Sequence, residues 1–485
     1  MRGARSYRAG SRLRALAALL TSAALVEGCP LSRLPSQSNV VGQALPKSTK
    51  IRASYAAAAV AGAVHDDWLR SFKDPRLDAI VAEAIANNLD LRQAAATVEI
   101  ARQTVVVVGA TLWPQAGATF GGHATRRLNG GEKNHYAGEA YGTISWELDV
   151  WGRMRAARAS AQAEAEAAAV DYAFARQSLA ATTAKGWYAA VNARQQLELA
   201  QQNVTVYEQL LELVKQRRDA GKVADFDVAQ TSADLNSAQS TLRVAQGLYS
   251  NARRALELLL GRYPAAEIEI AAAFSPLPPP VTPGLPSSLL DRRPDLVSAL
   301  DLVFAAFRNQ ESAKLALLPT FSLSLDGGRL ADKILSLLAL NPWLLHGAVG
   351  ASVPIFQGGS LVAKIRIATA EQQQALAAYG AAALKAFDEV EAALTSEGLI
   401  AEELAYEKAS LIDRNEAVRL AKIRYQTGSI DAITMLQVQA TQIATQSNVV
   451  TLQSEQLGNR INLHLALGGS FDAATAVSAR PPSPQ

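Results

Sequence analysis

Two periodicities alternate along the chain, and they occur in the same order twice. Across 143–150 the even positions Ile144, Trp146, Leu148 and Val150 are apolar, while the odd ones, Thr143, Ser145, Glu147 and Asp149, are polar. Phe321, Leu323 and Leu325 alternate with Ser322, Ser324 and Asp326, and Val349, Ala351, Val353 and Ile355 with Gly350, Ser352 and Pro354. A period of two predicts strands with one apolar and one polar face. Each strand region is followed by a long helical pattern and a return helix, 153–219 with 225–260 and 363–427 with 430–467. At 1.5 Å per residue the first of these is roughly 100 Å long if straight. Gly221 and Gly428 stand where these helices must end and turn. A shorter helix is expected ahead of each strand region, over 75–111 and 293–317.

The order repeats because the sequence does. Asp90-Leu91 and Leu112-Trp113-Pro114 recur as Asp295-Leu296 and Leu317-Leu318-Pro319 at the same spacing (114 − 90 = 319 − 295 = 24). Gly221 and Gly261 recur as Gly428 and Gly468 at one offset (428 − 221 = 468 − 261 = 207). Landmarks kept in order at a near-constant offset indicate duplication. The organisation read from this is a first repeat over 75–274, a Pro-rich linker over 275–290, a second repeat over 291–470 and a disordered tail over 471–485.

Composition sharpens the picture. The 49% hydrophobic content is inflated by alanine, and aromatics are only 6%, so the helices cannot build a large globular core. Alanines such as Ala156, Ala157, Ala161, Ala165 and Ala168 instead favour close helix–helix approach. A net charge of +3, with basic and acidic residues interleaved, argues against a nucleic-acid partner. The N-terminus is an address. Arg2, Arg5, Arg8, Arg12 and Arg14 precede an apolar stretch over 15–26, then Gly28 and the single cysteine, Cys29. This is a secretory signal over 1–28. Its end resembles a bacterial lipobox, in which the cysteine takes a diacylglycerol, although Glu27 departs from the small or apolar residue usual there. Pro30, rather than aspartate, implies delivery to the outer membrane. Residues 29–74 are read as a tether, irregular from 31 to about 63.

Two strand pairs cannot close a barrel, and an open edge cannot stand in lipid, where every backbone polar group must be paired. Strands that span a membrane therefore require several copies of the chain, three giving twelve strands around an aqueous lumen. The polar row Thr143, Ser145, Glu147 and Asp149 would line that lumen, and the helical hairpins would stand in the periplasm.

At this point the chain resembles a known family. Trp68…Phe72-Lys73-Asp74-Pro75, Ser145-Trp146-Glu147-Leu148-Asp149-Val150-Trp151-Gly152, Arg292-Arg293-Pro294-Asp295, Pro354-Ile355-Phe356-Gln357-Gly358-Gly359, Arg424-Tyr425…Gly428 and Leu465-Ala466-Leu467-Gly468-Gly469 are similar to the motifs of TolC-like outer-membrane efflux factors, of the OprM/NodT-type lipoprotein branch. The resemblance implies a mixed α and β fold: a homotrimer with a small transmembrane β-barrel (four strands per subunit), a trimeric α-barrel tunnel and a mixed α/β belt. It also implies a periplasmic adaptor and a proton-driven inner-membrane pump of the RND type as partners. The expected role is a passive exit duct for drugs or other small toxic molecules. A type I protein-secretion duct has the same architecture, and a non-channel lipoprotein scaffold is a third reading against which the alternating strands argue.

The resemblance places adaptor docking at the tips, Gly221, Lys222, Val223 and Thr427, Gly428, Ser429. It places a periplasmic gate at Ile433 and Gln437, one helical turn apart, where the family commonly has an aspartate at the second position. Asp431, Asp225 and Asp227 are nearby acids that could substitute for it. No catalytic, metal or cofactor site is expected, since His65, His123, His135, His346 and His464 are scattered without ligand spacing. Arg292-Arg293-Pro294-Asp295 reads as a helix start rather than as a catalytic cluster.

Overall fold

The duplication is literal in the secondary structure. The structure, a computed structural model, describes residues 29–57, 64, 66–125, 135–331 and 344–471. The expected signal over 1–28, part of the tether and the tail beyond Phe471 lie outside the described residues. In chain order the elements are α1 (Gln37–Ala44), a 3-10 turn (Trp68–Phe72), α2 (Pro75–Asn87), α3 (Leu89–Ala110), β1 (Gln115–Thr125), β2 (His135–Leu148), α4 (Arg153–Asp219) and α5 (Asp225–Leu259). Then follow α6 (Pro286–Arg292), α7 (Pro294–Leu315), β3 (Thr320–Ala331), β4 (Leu344–Ser352), α8 (Ser360–Gln426) and α9 (Ala432–Ala466). Corresponding helices match in length: α3 and α7 have 22 residues, α4 and α8 have 67, and α5 and α9 have 35. No described helix is long and apolar enough to cross a membrane.

The chain divides into two units, one of residues 1–47, 97–169 and 298–380, the other of 48–96, 170–297 and 381–485. In the first, β1 to β4 form a single antiparallel sheet in chain order, so the β2–β3 pairing joins the two repeats. The tether is less irregular than expected, because Ser36 caps α1 and Val40 is fully buried against Leu300, Val303 and Tyr379. At Gly380 a Cβ would collide with the Ala44 carbonyl, so only glycine lets α1 lie this close to α8.

In the second unit, Trp68, Phe72, Leu77 and Val81 pack against Trp187 and Tyr188 of α4, Leu256 of α5 and Ile461 of α9. Phe471 joins the same cluster, so ordered packing runs one residue into the segment expected to be a tail. The helices expected over 75–111 and 293–317 are also corrected: the first is two helices, and the second begins at Pro294. At Asn88 the side chain accepts the Leu91 N–H (3.0 Å) and donates to the Leu259 carbonyl (3.1 Å), capping α3 while tying it to the end of α5. Arg293 occupies the equivalent knuckle. It precedes a proline, which disfavours helical backbone there, and it donates to the Ala466 carbonyl at 3.3 Å. The two acceptors are again 207 apart (466 − 259).

In the second copy the knuckle is charged. Arg293, 4% exposed, also donates to Asp295 (2.7 Å) and Glu389 (2.6 Å). This accounts for the Arg-Arg-Pro-Asp motif as structure: Asp295 in the first turn of α7 is one anchor of a buried guanidinium. Arg293→Met is expected to destabilise by about 2–3 kcal/mol in thermal or denaturant unfolding. That is less than a fully buried pair would lose, because both carboxylates keep some solvent contact. A loss below about 0.5 kcal/mol would show that the knuckle is held by packing alone.

Candidate functional site

The sheet has two chemically opposite faces, and its register defines both. Directly paired residues of antiparallel strands share a face. One face carries Ala116, Ala118 and Phe120 of β1, Ile144, Trp146 and Leu148 of β2, Phe321, Leu323 and Leu325 of β3, and Leu345, Val349 and Ala351 of β4. These residues are apolar and largely uncovered: Phe120 is 79% and Val349 81% exposed. The other face aligns Thr143 with Asp326, Ser145 with Ser324 and Glu147 with Ser322, and continues to His346 opposite Asp326. Among the described residues, β1 and β4 each have one edge with no strand beside it. An apolar face of this extent needs lipid or another chain over it.

Of the four residues expected on a polar strand row, Thr143, Ser145 and Glu147 are there, and Asp149 is not. β2 ends at Leu148. The Asp149 carboxylate instead accepts the N–H groups of Met154 (2.9 Å) and Arg155 (2.9 Å) and ion-pairs with the Arg155 Nε at 3.0 Å. It anchors the start of α4, where a negative charge complements the helix dipole. Glu147 pairs with Arg153 at 2.7 Å. Similarly, β4 stops at Ser352, so Val353 and Ile355 lie beyond the strand expected to include them. Cys29 is exposed beside the same junction, its N–H donating to the Val150 carbonyl (3.0 Å) and its own carbonyl accepting from Arg155 (3.1 Å).

In the second unit the hairpin tips are built alike. Gly221 and Gly428 are left-handed, with φ of 69° and 75°. The Lys222 N–H donates to the Arg217 carbonyl and the Gly221 N–H to that of Arg218, while Ser429 and Gly428 donate to Arg424 and Tyr425. This double closure is the Schellman ending, and it requires φ > 0 at the glycine. No atom lies within 4 Å of where a Cβ would stand on either one. Lys222, Thr427 and Ser429 are exposed, but Val223 turns inward onto the cluster of Leu210, Val214 and Leu436. Phe226, 72% exposed in the first turn of α5, is an outward apolar residue at this tip that the sequence reading overlooked.

The residues expected at the gate are close in sequence but differ in environment. Gln437 is exposed, and Ile433 is half-buried against the Leu436 cluster. Asp431 caps α9 by accepting the Thr434 N–H (2.8 Å), and it ion-pairs with Arg217 of α4 at 3.3 Å. Those bonds to Thr434, together with Arg217, hold its carboxyl below the usual range. Asp227 accepts the Ala224 N–H (3.0 Å) and Asp225 faces Arg218 at 3.5 Å. All three acids thus serve the tips rather than standing free. Arg217 was visible only as half of a repeated landmark. Its copy, Arg424, has Ala224 where Asp431 would be (431 − 207 = 224), so the link between hairpins exists once per chain.

An exposed amphipathic sheet with open edges, on a chain of duplicated glycine-ended helical hairpins, defines a subunit of an outer-membrane channel. The chain belongs to the outer membrane efflux protein family, whose model matches residues 80–262 and 285–469. The match falls in two segments, one per repeat. The pyoverdine export outer membrane protein OpmQ of Pseudomonas putida is 31% identical over 420 residues, covering 84% of this chain and 88% of the relative. The toluene efflux pump outer membrane protein TtgF of the same species is 30% identical, covering 84% and 86%. Among solved structures, the outer-membrane channel OprN superposes with a TM-score of 0.78 at 25% identity, covering 92% of this chain and 99% of that one. The fold is therefore that of the TolC-like channels, and the protein is an outer-membrane efflux component.

Proposed function

We propose that three copies of this chain form a passive exit duct for small toxic molecules, driven by an inner-membrane pump through a periplasmic adaptor. The observation that carries this is the sheet: one face lined with largely exposed apolar residues, the other with polar ones, and, among the described residues, an open edge at each end. In lipid those edges must be paired, and neighbouring copies supply the partners. Thr143, Ser145 and Glu147 then face water in the lumen. Ring upon ring of hydroxyls suits permissive passage of varied solutes. Pyoverdine and toluene, named for the relatives, support small molecules as cargo. The exposed tip residues Lys222, Phe226, Thr427 and Ser429 supply the adaptor-docking surface, and Ile433 with Gln437 forms the periplasmic constriction. A proton-driven pump of the RND type is the energy source this reading requires.

Purified protein is expected to run as a trimer by native mass and to conduct ions in planar bilayers. A monomer without conductance rejects the channel reading. Cys29 is the acylation site in this proposal, and its exposed position beside the strand–helix junction supports that. Mass spectrometry should find an acylated N-terminal peptide beginning at Cys29. An unmodified thiol, or another start, rejects the anchor without touching the channel.

A further inference from the structure

The first unit holds a charged cavity that the duct leaves unused. It has a volume of about 400 Å³ and lies between the residues following Cys29 and the last turns of α7. Its floor is an ion pair: Arg308 and Glu311, 14% and 16% exposed, meet at 2.6 Å. Ser32 is held by both, its N–H donating to Glu311 (2.7 Å) and its carbonyl accepting from Arg308 (2.8 Å). The carboxylate is thereby satisfied within the floor. Among the described residues, both bonds of Arg308 come from Nη1, so its other guanidinium nitrogens remain for a ligand.

Two more cations stand at the rim. Arg33 and Lys314 are exposed and line the cavity, and neither enters an ion pair among the described residues. Among the described residues, Lys314 donates only to the side-chain Oε1 of Gln310, at 2.9 Å. Three cations against one carboxylate leave an excess of two positive charges (3 − 1). Leu34, Phe307 and Leu315 add an apolar wall to the same cavity. A free anion has no use for that wall, whereas the glycerol and first methylenes of a lipid do.

The cavity is placed where such a lipid would be. α7 ends at Leu315 and β3 starts at Thr320. From Cys29, whose N–H donates to the carbonyl of Val150 just beyond β2, the chain reaches Ser32 in three steps, a span of at most about 10 Å. That is on the order of the thickness of one headgroup layer. We propose that this cavity binds the phosphate headgroup of an anionic phospholipid of the periplasmic leaflet. The placement rests on the proposed membrane-spanning strands and holds whether or not Cys29 is acylated.

The test is native mass spectrometry of the intact trimer released from micelles containing phosphatidylethanolamine with phosphatidylglycerol or cardiolipin. Wild-type trimer is expected to retain the anionic lipids in preference to phosphatidylethanolamine. The variant Arg33→Ala with Lys314→Ala should retain roughly tenfold less, since each cation near a membrane surface contributes a several-fold attraction. Both residues are exposed, so trimer mass and conductance should be unchanged. Equal retention by the variant, or equal retention of phosphatidylethanolamine, overturns the site. Displacement of the lipid by inorganic phosphate at matched concentration overturns the lipid assignment in favour of a simple anion site.

Discussion

Tryptophan at both Gly221 and Gly428 is expected to abolish efflux-dependent resistance while leaving the trimer in the outer membrane near its normal level. A glycine substitution usually confounds two effects, backbone strain and added bulk, and at these tips they come apart. Both residues are left-handed, so any side chain there carries strain of about 1–2 kcal/mol per site. That strain is confined to exposed helix ends, where the Schellman bonds can fray without opening a core. No atom lies within 4 Å of either Cβ position, so a side chain there starts out into open space. If the adaptor docks on the tips as proposed, the indole obstructs it. Alanine at the same two positions is the control, because it carries the strain without the bulk. Drug susceptibility and outer-membrane trimer level are the two readouts. Susceptibility should rise sharply with tryptophan and only slightly with alanine. If the two variants behave alike, the glycines matter for the turn, and the docking assignment of the tips falls.

Those glycines were legible in the sequence because a helix end with φ > 0 is a local requirement that one residue type meets. Strand faces were legible for the same reason, since alternation along Phe321, Leu323 and Leu325 is itself the face. The duplication was legible because two copies of one supersecondary plan kept their spacing. What sequence could not show is where distant groups meet. Asp149 continues the alternation of β2, and only its bonds to Met154 and Arg155 reveal that the strand has already ended. Asn88 looks unremarkable inside a helical pattern, and its role depends on a carbonyl 171 residues away. Arg460, 2% exposed, donates to Glu397 and to the carbonyls of Pro278 and Pro279, so the Pro-rich linker is clamped to the second unit rather than loose. Each of these depends on a hydrogen-bond partner, for Asn88 and Arg460 a distant one, and periodicity carries no record of partners.

The proposed constriction offers the second large effect, and it turns on Gln437, where the resemblance led to the expectation of an aspartate. Asp431 cannot supply the missing carboxylate at Gln437. It is already engaged by Thr434 and Arg217, which lower its pKa. A lowered folded pKa means that its capping contribution is fully present above the unfolded value. It is lost only as the pH falls through the lowered one, so neutral surroundings leave this link intact. Gln437, by contrast, is exposed, one turn beyond the half-buried Ile433. Three neutral amides at a throat bind cations weakly, whereas three carboxylates in a narrow, low-dielectric passage concentrate them. Gln437→Asp should therefore make the channel more cation-selective and open it to block by trivalent cations, lowering the blocking concentration by roughly tenfold or more. Reversal potentials in a salt gradient and block of single trimers in planar bilayers measure both. An aspartate that instead lowers trimer stability would place residue 437 in a helix contact between subunits. If neither selectivity nor block changes in a stable trimer, Gln437 does not line the pore and the constriction lies elsewhere on α9.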